Sequence, residues 1–449
     1  MGHKNDLTTA PVRTLIGRIA APASVGYFFN TMYNVVDTFY GGLVSTQALA
    51  ALSLSLPVFF LILALGSGLS IGSTALIATA LGANKAEEAG VLSVQSLTFG
   101  ALVGLGLMVL GPACSPFLFR LLGASNEYLG TALDYMNVIF TGAVFFITVF
   151  MLNAILNARG DSRTYRNFLI IGFLSNAALD PWFIYGGLGL PAMGFKGVAL
   201  ATVLIQVVGC FYLGRKVIKA GLIPPGALSL AMPRGAVFRE IARQGFPASV
   251  NTATIGVGIF VITFFISQFG QEGVAAYGIA MRIEQIVLMP TIGLNVAVLT
   301  IVAQNHGAGL FDRIRETVNL SLKYGAVIMV FGSGAVFFLS RSFMTLFTDD
   351  ASVIEIGTLY LKIDALVLYA YVVLFVNVAA LQGIKKPMFA VWLGVSRQIA
   401  APAAVFYFFA VVLDWGLPGV WWGIFLITWS AALFTFFYAR NLLRKTSRG

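Results

Sequence analysis

Apolar runs long enough to cross a membrane recur along the whole chain, separated by short stretches rich in Gly, Pro and charge. Twelve stand out, near 15–40, 47–82, 92–115, 131–157, 168–187, 197–214, 246–268, 275–307, 318–340, 357–382, 388–413 and 417–439. A bilayer core of about 30 Å needs roughly 20 apolar residues per helix. The pattern therefore predicts an all-α membrane protein with twelve transmembrane helices. The second and eighth runs exceed the required length. Pro57, Gly66 and Gly68 in one, and Pro290 and Gly293 in the other, predict kinked or tilted spans. The longest polar stretch, 215–245, lies mid-chain with Pro224, Pro225, Pro233 and six basic residues, and reads as a linker. The expected organisation is an N-lobe over 1–214, a cytoplasmic linker over 215–245 and a C-lobe over 246–449, with six spans in each lobe.

Self-comparison supports two related halves. Ala50-Ala51 pairs with Ala275-Ala276, Gly68-Leu69 with Gly293-Leu294 and Gly82-Ala83 with Gly307-Ala308. Tyr135 pairs with Tyr360 and Leu156 with Leu381, all at a displacement of 225 residues. Six spans per half is an even number, so both halves share an orientation. They are expected to form two six-helix lobes related by a pseudo-twofold axis along the membrane normal, with a site at their interface. That is a layout of alternating-access transport.

Composition narrows the class. Of 449 residues, 58% are hydrophobic and only 10% charged, against roughly 25% charge in soluble domains. This excludes a soluble enzyme, a nucleic-acid binder and a disordered chain. The net charge of +10 reflects loop asymmetry. Odd-numbered loops hold three basic residues (Arg120, Lys196 and Arg341), whereas even-numbered loops and termini hold twenty. Both termini are thus expected on the cytoplasmic side of the inner (plasma) membrane. No cleavable signal peptide is evident, because the polar stretch Met1 to Arg13 runs straight into the first span. Cys114 and Cys210 offer neither a disulfide framework nor metal spacing.

Ionisable groups inside a bilayer cost roughly 2.5–3.5 kcal/mol each on insertion scales, so they are candidates for function. Asp37 shares one face of the first span with Asn30 and Asn34, at i, i+4, i+7. The fifth span carries Asn176 and Asp180, followed by Pro181, which is expected to leave the Ala177 carbonyl without its amide donor. Thr202 lies about one turn into the sixth span and Tyr135 near the start of the fourth. At about 1.5 Å rise per residue these groups fall in one layer in the outer half of the membrane. Two carboxylates brought together share a proton or bind a hard cation through oxygen ligands, which suits coupling to H+ or Na+. The alternative is structural pairing with a base. Arg18 is about 28 Å from Asp37 along its helix and cannot serve, but Lys196 or Arg120 could dip inward. Asp134 is expected at the membrane interface. In the C-half, Glu284 and Asp364 are outnumbered by Arg282, Lys323, Lys362 and Arg397, which favours mutual neutralisation there. Two histidines, His3 and His306, are too few for a histidine proton relay.

Taken together, the motifs resemble the multidrug and toxic compound extrusion (MATE) family over nearly the whole chain. They include Asn34-x-x-Asp37-x-Phe39 with Gly41-Gly42, Leu156-Asn157-Ala158-Arg159-Gly160-Asp161 and Asn176-x-x-x-Asp180-Pro181-x-Phe183-Ile184. They continue with Gly197-Val198-Ala199-Leu200-Ala201-Thr202, Ala280-x-Arg282-Ile283-Glu284, Gly293-Leu294 and Gln304-Asn305-x-Gly307-Ala308. The chain is most similar to the DinF-like branch. That resemblance implies an N-lobe cation site at Asp37, Asn176, Asp180 and Thr202 with Tyr135 nearby, able to take Na+ or a proton. It also implies a bend of the first span at Pro22 on protonation. The loop before Thr202 is longer than the family pattern, and the seventh span lacks the acid that the NorM-like branch uses in its C-lobe, which leaves Asp364 without a carboxylate partner there.

The expected function is a secondary active multidrug antiporter. It would export organic cations or amphipathic drugs in exchange for H+ or Na+, with no cofactor, and its energy would come from an ion gradient, since no Walker-type phosphate loop is present to bind ATP. Asp37 and Asp180 would hold the coupling ion, and Asn176, Thr202 and Tyr135 would orient or ligate it. Asn34, Glu284 and Asp364 are secondary candidates. Its partners would be drugs and membrane lipid, with no nucleic acid and no required oligomer. A lipid-linked saccharide flippase of the related exporter superfamily is the alternative. A polytopic membrane enzyme is disfavoured, because neither an Asp-rich metal motif nor a catalytic His cluster is present.

Overall fold

In the computed structural model, which describes residues 7–446 apart from 122, 124, 125 and 225, the chain is built from helices. In order they are α1 (Val12–Val44), α2 (Thr46–Gly82), α3 (Ala86–Leu121), α4 (Asn126–Thr141), α5 (Ala143–Ala158), α6 (Ser162–Tyr185), α7 (Phe195–Lys219) and the single turn α8 (Ala227–Leu230). There follow α9 (Gly235–Ser267), α10 (Gln271–Gly307), α11 (Phe311–Thr345), α12 (Ala351–Ala365) and α13 (Leu368–Gly383). The last two are α14 (Met388–Val412), which widens into π-helical turns at Ser396–Ala400 and Tyr407–Val412, and α15 (Gly416–Thr446).

Among the described residues nine helices are long and apolar enough to cross a membrane, and two bent pairs raise the number to eleven. The 33-residue α1 is long enough to make a twelfth, but Asn30, Asn34 and Asp37 lower its hydropathy. The chain is an all-α multi-pass membrane protein. Large side chains such as Phe338, Phe211 and Phe331 lie open on helix surfaces, as expected where lipid rather than water is the solvent.

The 225-residue repeat is realised in the helix boundaries. α2 and α10 are both 37 residues long and their ends correspond to the residue, as do those of the 16-residue α5 and α13. The fourth and tenth spans, expected as single helices, are each broken in two. α4 meets α5 at 48° and α12 meets α13 at 49°. At the first break Gly142 stands where a Cβ would lie 2.5 Å from the Val203 side chain, so α7 crowds α4–α5 at the bend.

The chain divides into two compact units. One is Val25–Val250; the other joins the residues up to Ser24 with those from Asn251 onward. Within the first, α2, α3 and α5 pack together, and within the second, α10, α11 and α13 do. The stretch expected as a free linker is tied to the Val25–Val250 unit. The buried Gln95 side chain donates to the carbonyls of Leu230 (2.5 Å) and Met232 (2.8 Å) and accepts from the amide of Arg234 (3.0 Å). Thr98 donates to Ala231 (3.2 Å), and Arg159 donates to the Ala220 carbonyl.

Candidate coupling site

The Val25–Val250 unit gathers the polar residues of α1, α4, α6 and α7. Asp161 caps α6 by accepting from the Thr164 amide (3.1 Å), which sets the register that carries Asn176 and Asp180 inward. The helix stops at Gly186, whose φ of +78° suits glycine. The loop then folds back, with the amides of Met193 and Gly194 bonded to the carbonyls of Phe183 and Ile184. Gly197 packs so closely that a Cβ there would lie 2.7 Å from the Phe183 backbone. This contact seats α7 against the end of α6 and delivers Thr202 to the layer of Asp180.

At the centre is one amide between two carboxylates. The Asn176 Nδ2 group donates to Asp37 Oδ1 and to Asp180 Oδ1, both at 2.9 Å. Asn176 and Asp180 are 0% exposed and Asp37 7%. Asp180 Oδ2 and Asn176 Oδ1 have no hydrogen-bond partner, so two buried acceptors lack a donor. Such atoms fit a shared proton or a small cation held by oxygen ligands. Thr202 stands within hydrogen-bonding reach of Asp37 and donates to the Val198 carbonyl (3.0 Å), which leaves its lone pairs free to ligate.

Asp37 is the acid that meets open space. With Tyr135 and Thr202 it lines a cleft bordered by polar groups of α1 and by Phe59, Phe146, Phe150 and Phe168. Asp180 and Asn176 lie behind it. Tyr135 stacks on Phe195, with ring centroids 4.9 Å apart. Asn34 also borders the cleft, and its side chain donates to the Asn30 carbonyl (2.9 Å).

Two expectations change. The Ala177 carbonyl exposed by Pro181 is not left for an ion: the Tyr40 hydroxyl of α1 donates to it at 3.4 Å. Lys196 does not reach the buried acids. It pairs with Asp134 at 3.2 Å, both side chains about half-exposed (55% and 53%), which places Asp134 with the base at the start of α7. Tyr33 on the cleft wall and Tyr40 were not singled out from the sequence. Tyr33 completes the stripe Asn30, Tyr33, Asn34, Asp37, and that spacing was the available signal.

The other unit holds a second acidic cluster, with Arg397 close enough to act on Glu284. The Tyr360 hydroxyl donates to Glu284 Oε2 at 3.0 Å, with Tyr371 also in reach. Asp364, 2% exposed, has no hydrogen-bond partner on either carboxylate oxygen. Among the described residues no ion pair joins these acids to Arg282, Lys323, Lys362 or Arg397. Arg282 and Lys362 stand two residues before Glu284 and Asp364, which on a helix points them to the opposite side, and both are exposed, as is Lys323. Arg397 sits over the Tyr371 ring at 5.6 Å. Pro22, the expected hinge, is buried within α1, which runs through it unbroken.

The MatE family model matches residues 22–182 and 247–402. The chain belongs to the MatE family. Its relatives include the probable multidrug resistance protein NorM of Thermotoga maritima, 27% identical over 92% of this chain and 89% of that protein. The FAD transporter of Shewanella oneidensis is 25% identical over 89% of this chain and 88% of its own. Among solved structures, a MATE protein crystallised in complex with MaD3S superimposes with a TM-score of 0.93 at 25% identity, covering all of both chains. As a MatE protein the chain is a membrane transporter and not an enzyme, and it needs no prosthetic cofactor.

Proposed function

We propose that the chain is a secondary active antiporter that exports organic cations or amphipathic drugs in exchange for H+ or Na+ by alternating access. The observation that carries this reading is the Asn176 amide bridging Asp37 and Asp180 behind an aromatic-walled cleft. Ion binding between the carboxylates removes negative charge from the cleft, and a cationic substrate in the cleft favours the ion-free, charged form. The two ligands therefore oppose one another, and that opposition is the reciprocal coupling exchange requires. Asp37 gives the ion its route from the cleft to Asp180, and Thr202 supplies a neutral oxygen. The antiporter would sit in the plasma membrane with both termini cytoplasmic, as the basic loops favour.

Among the described residues no Lys or Arg lines the cleft, which disfavours a flippase for lipid-linked saccharides, since a pyrophosphate calls for basic partners. The test is efflux of ethidium or a fluoroquinolone from proteoliposomes under separately imposed proton and sodium gradients. The parent protein should respond to at least one gradient and Asp37→Asn to neither; undiminished gradient-driven efflux by Asp37→Asn would sink the assignment.

A further inference from the structure

The two units are joined by the chain at two points, between Ser24 and Val25 in α1 and between Val250 and Asn251 in α9. Both points fall inside continuous helices, and both carry one sequence. Ile16-x-Arg18-x-x-x-Pro22-Ala23-Ser24-Val25 recurs as Ile241-x-Arg243-x-x-x-Pro247-Ala248-Ser249-Val250, again displaced by 225 residues. Each proline lacks a backbone amide and so cannot make the helical hydrogen bond to the residue four earlier, Arg18 or Arg243. Two residues later each serine turns its hydroxyl back on its own helix: Ser24 onto the Ala20 carbonyl at 3.0 Å, Ser249 onto the Gly245 carbonyl at 3.1 Å. Pro followed by a back-bonded Ser weakens and bends a helical turn.

The surroundings repeat as well. A Cβ on Gly68 would lie 2.1 Å from the Ser249 amide nitrogen, and one on Gly293 would lie 2.1 Å from Ser24 Oγ. Gly68 and Gly293 are themselves 225 apart, so each serine beds on the equivalent glycine of α2 or α10. Each bearing lies within one unit. Gly68 meets Ser249 inside the Val25–Val250 unit, and Gly293 meets Ser24 inside the other. The start of each crossing helix is therefore anchored in the unit that the rest of that helix leaves. For α9 the anchor is the Gln95 clamp on Leu230, Met232 and Arg234. For α1 it is Arg313, which donates to the Ala10 carbonyl (2.6 Å) and the Leu7 carbonyl (3.3 Å) and to Asn305 Oδ1 (3.0 Å), above a core of Leu7, Leu15, Ile16 and Ile19.

We infer that the two Pro-Ala-Ser-Val segments, 22–25 and 247–250, are paired pivots on which the units change access, with Gly68 and Gly293 as their bearings. Pro22 and Pro247 are then equivalent joints, and Pro247 is as necessary as Pro22. This inference rests on the alternating-access reading, and the experiment separates the two. In a Cys114→Ser, Cys210→Ser background, spin labels at Leu188→Cys and Leu346→Cys, exposed positions in different units, report the inter-unit distance by electron–electron resonance. The background protein should give two distance populations whose ratio responds to pH or Na+. Pro22→Ala and Pro247→Ala should each abolish that response. A response in Pro247→Ala equal to the background overturns the pivots and leaves alternating access standing. A single distance in the background under every condition overturns both. Amide exchange in the parent protein needs no substitution: residues 23–26 and 248–251 should exchange faster than the turns on either side, and protection at 248–251 equal to the rest of α9 would overturn the proposal.

Discussion

The two acidic pockets occupy corresponding halves of a duplicated chain and solve the same problem differently. In the Val25–Val250 unit a neutral amide bridges two carboxylates, and the outer one borders a cleft. In the other unit a tyrosine hydroxyl serves Glu284, Asp364 has no donor, and Tyr360 joins Tyr277 and Trp421 in an aromatic cluster, with ring centroids 4.8–6.1 Å apart. The divergence starts at one repeat pair. Tyr135 stacks on Phe195 beside the cleft, whereas Tyr360 spends its hydroxyl on an acid. Duplication preserved helix lengths and bends and left the polar chemistry free to change. On the proposed reading the first site exchanges an ion with solvent and the second does not.

The largest expected break in that contrast is charge removal. Asp37→Asn or Asp180→Asn should lower gradient-driven efflux by about 100-fold, near the top of usual coupling energies. Glu284→Gln should change it by less than about fivefold, read in the same vesicles. Equal losses from both pockets would erase the distinction drawn here. Next is the bridge. Asn176→Ala removes two hydrogen bonds to carboxylates, each about 1.5–3 kcal/mol, and should lower both the unfolding temperature in detergent and ion affinity. Tyr360→Phe removes one such bond and should shift the unfolding temperature while leaving the driving ion's affinity unchanged. Tyr40→Phe should cost about 0.5–1.5 kcal/mol and loosen the tie between α1 and Ala177, read as faster amide exchange after Pro181. Smallest is Lys196→Ala. Its exposed pair with Asp134 is worth about 0–1 kcal/mol, so transport and stability should both stay near the parent values.

Much of this was legible in the sequence, because lipid imposes a strong pattern. Spans, repeat and the stripe Asn30, Asn34, Asp37 follow from helical period and from the cost of polar groups in a bilayer. What was not legible depends on contacts distant in sequence. Residues 215–245 look like a linker by composition, yet Gln95, more than 130 residues earlier, holds part of them in place. Pro181 frees a carbonyl as expected, but only the packing of α1 reveals that Tyr40 takes it. Base counts in the C-half ignore direction: Arg282 and Lys362 point away from the acids they neighbour in sequence, whereas Arg397 acts on Glu284. The Pro-Ala-Ser-Val repeat stands in the sequence too, but its meaning depends on knowing where the chain passes from one unit to the other.

The central claim is that Asp37 and Asp180, joined by Asn176, hold the ion that drives export. Its most direct test is ion occupancy in the purified protein: sodium binding by radiolabel, and proton release on adding ethidium in weak buffer, for the parent protein and for Asp37→Asn and Asp180→Asn. The account predicts that the parent binds sodium or releases protons and that both variants do neither. Unchanged binding or release in either variant would contradict it.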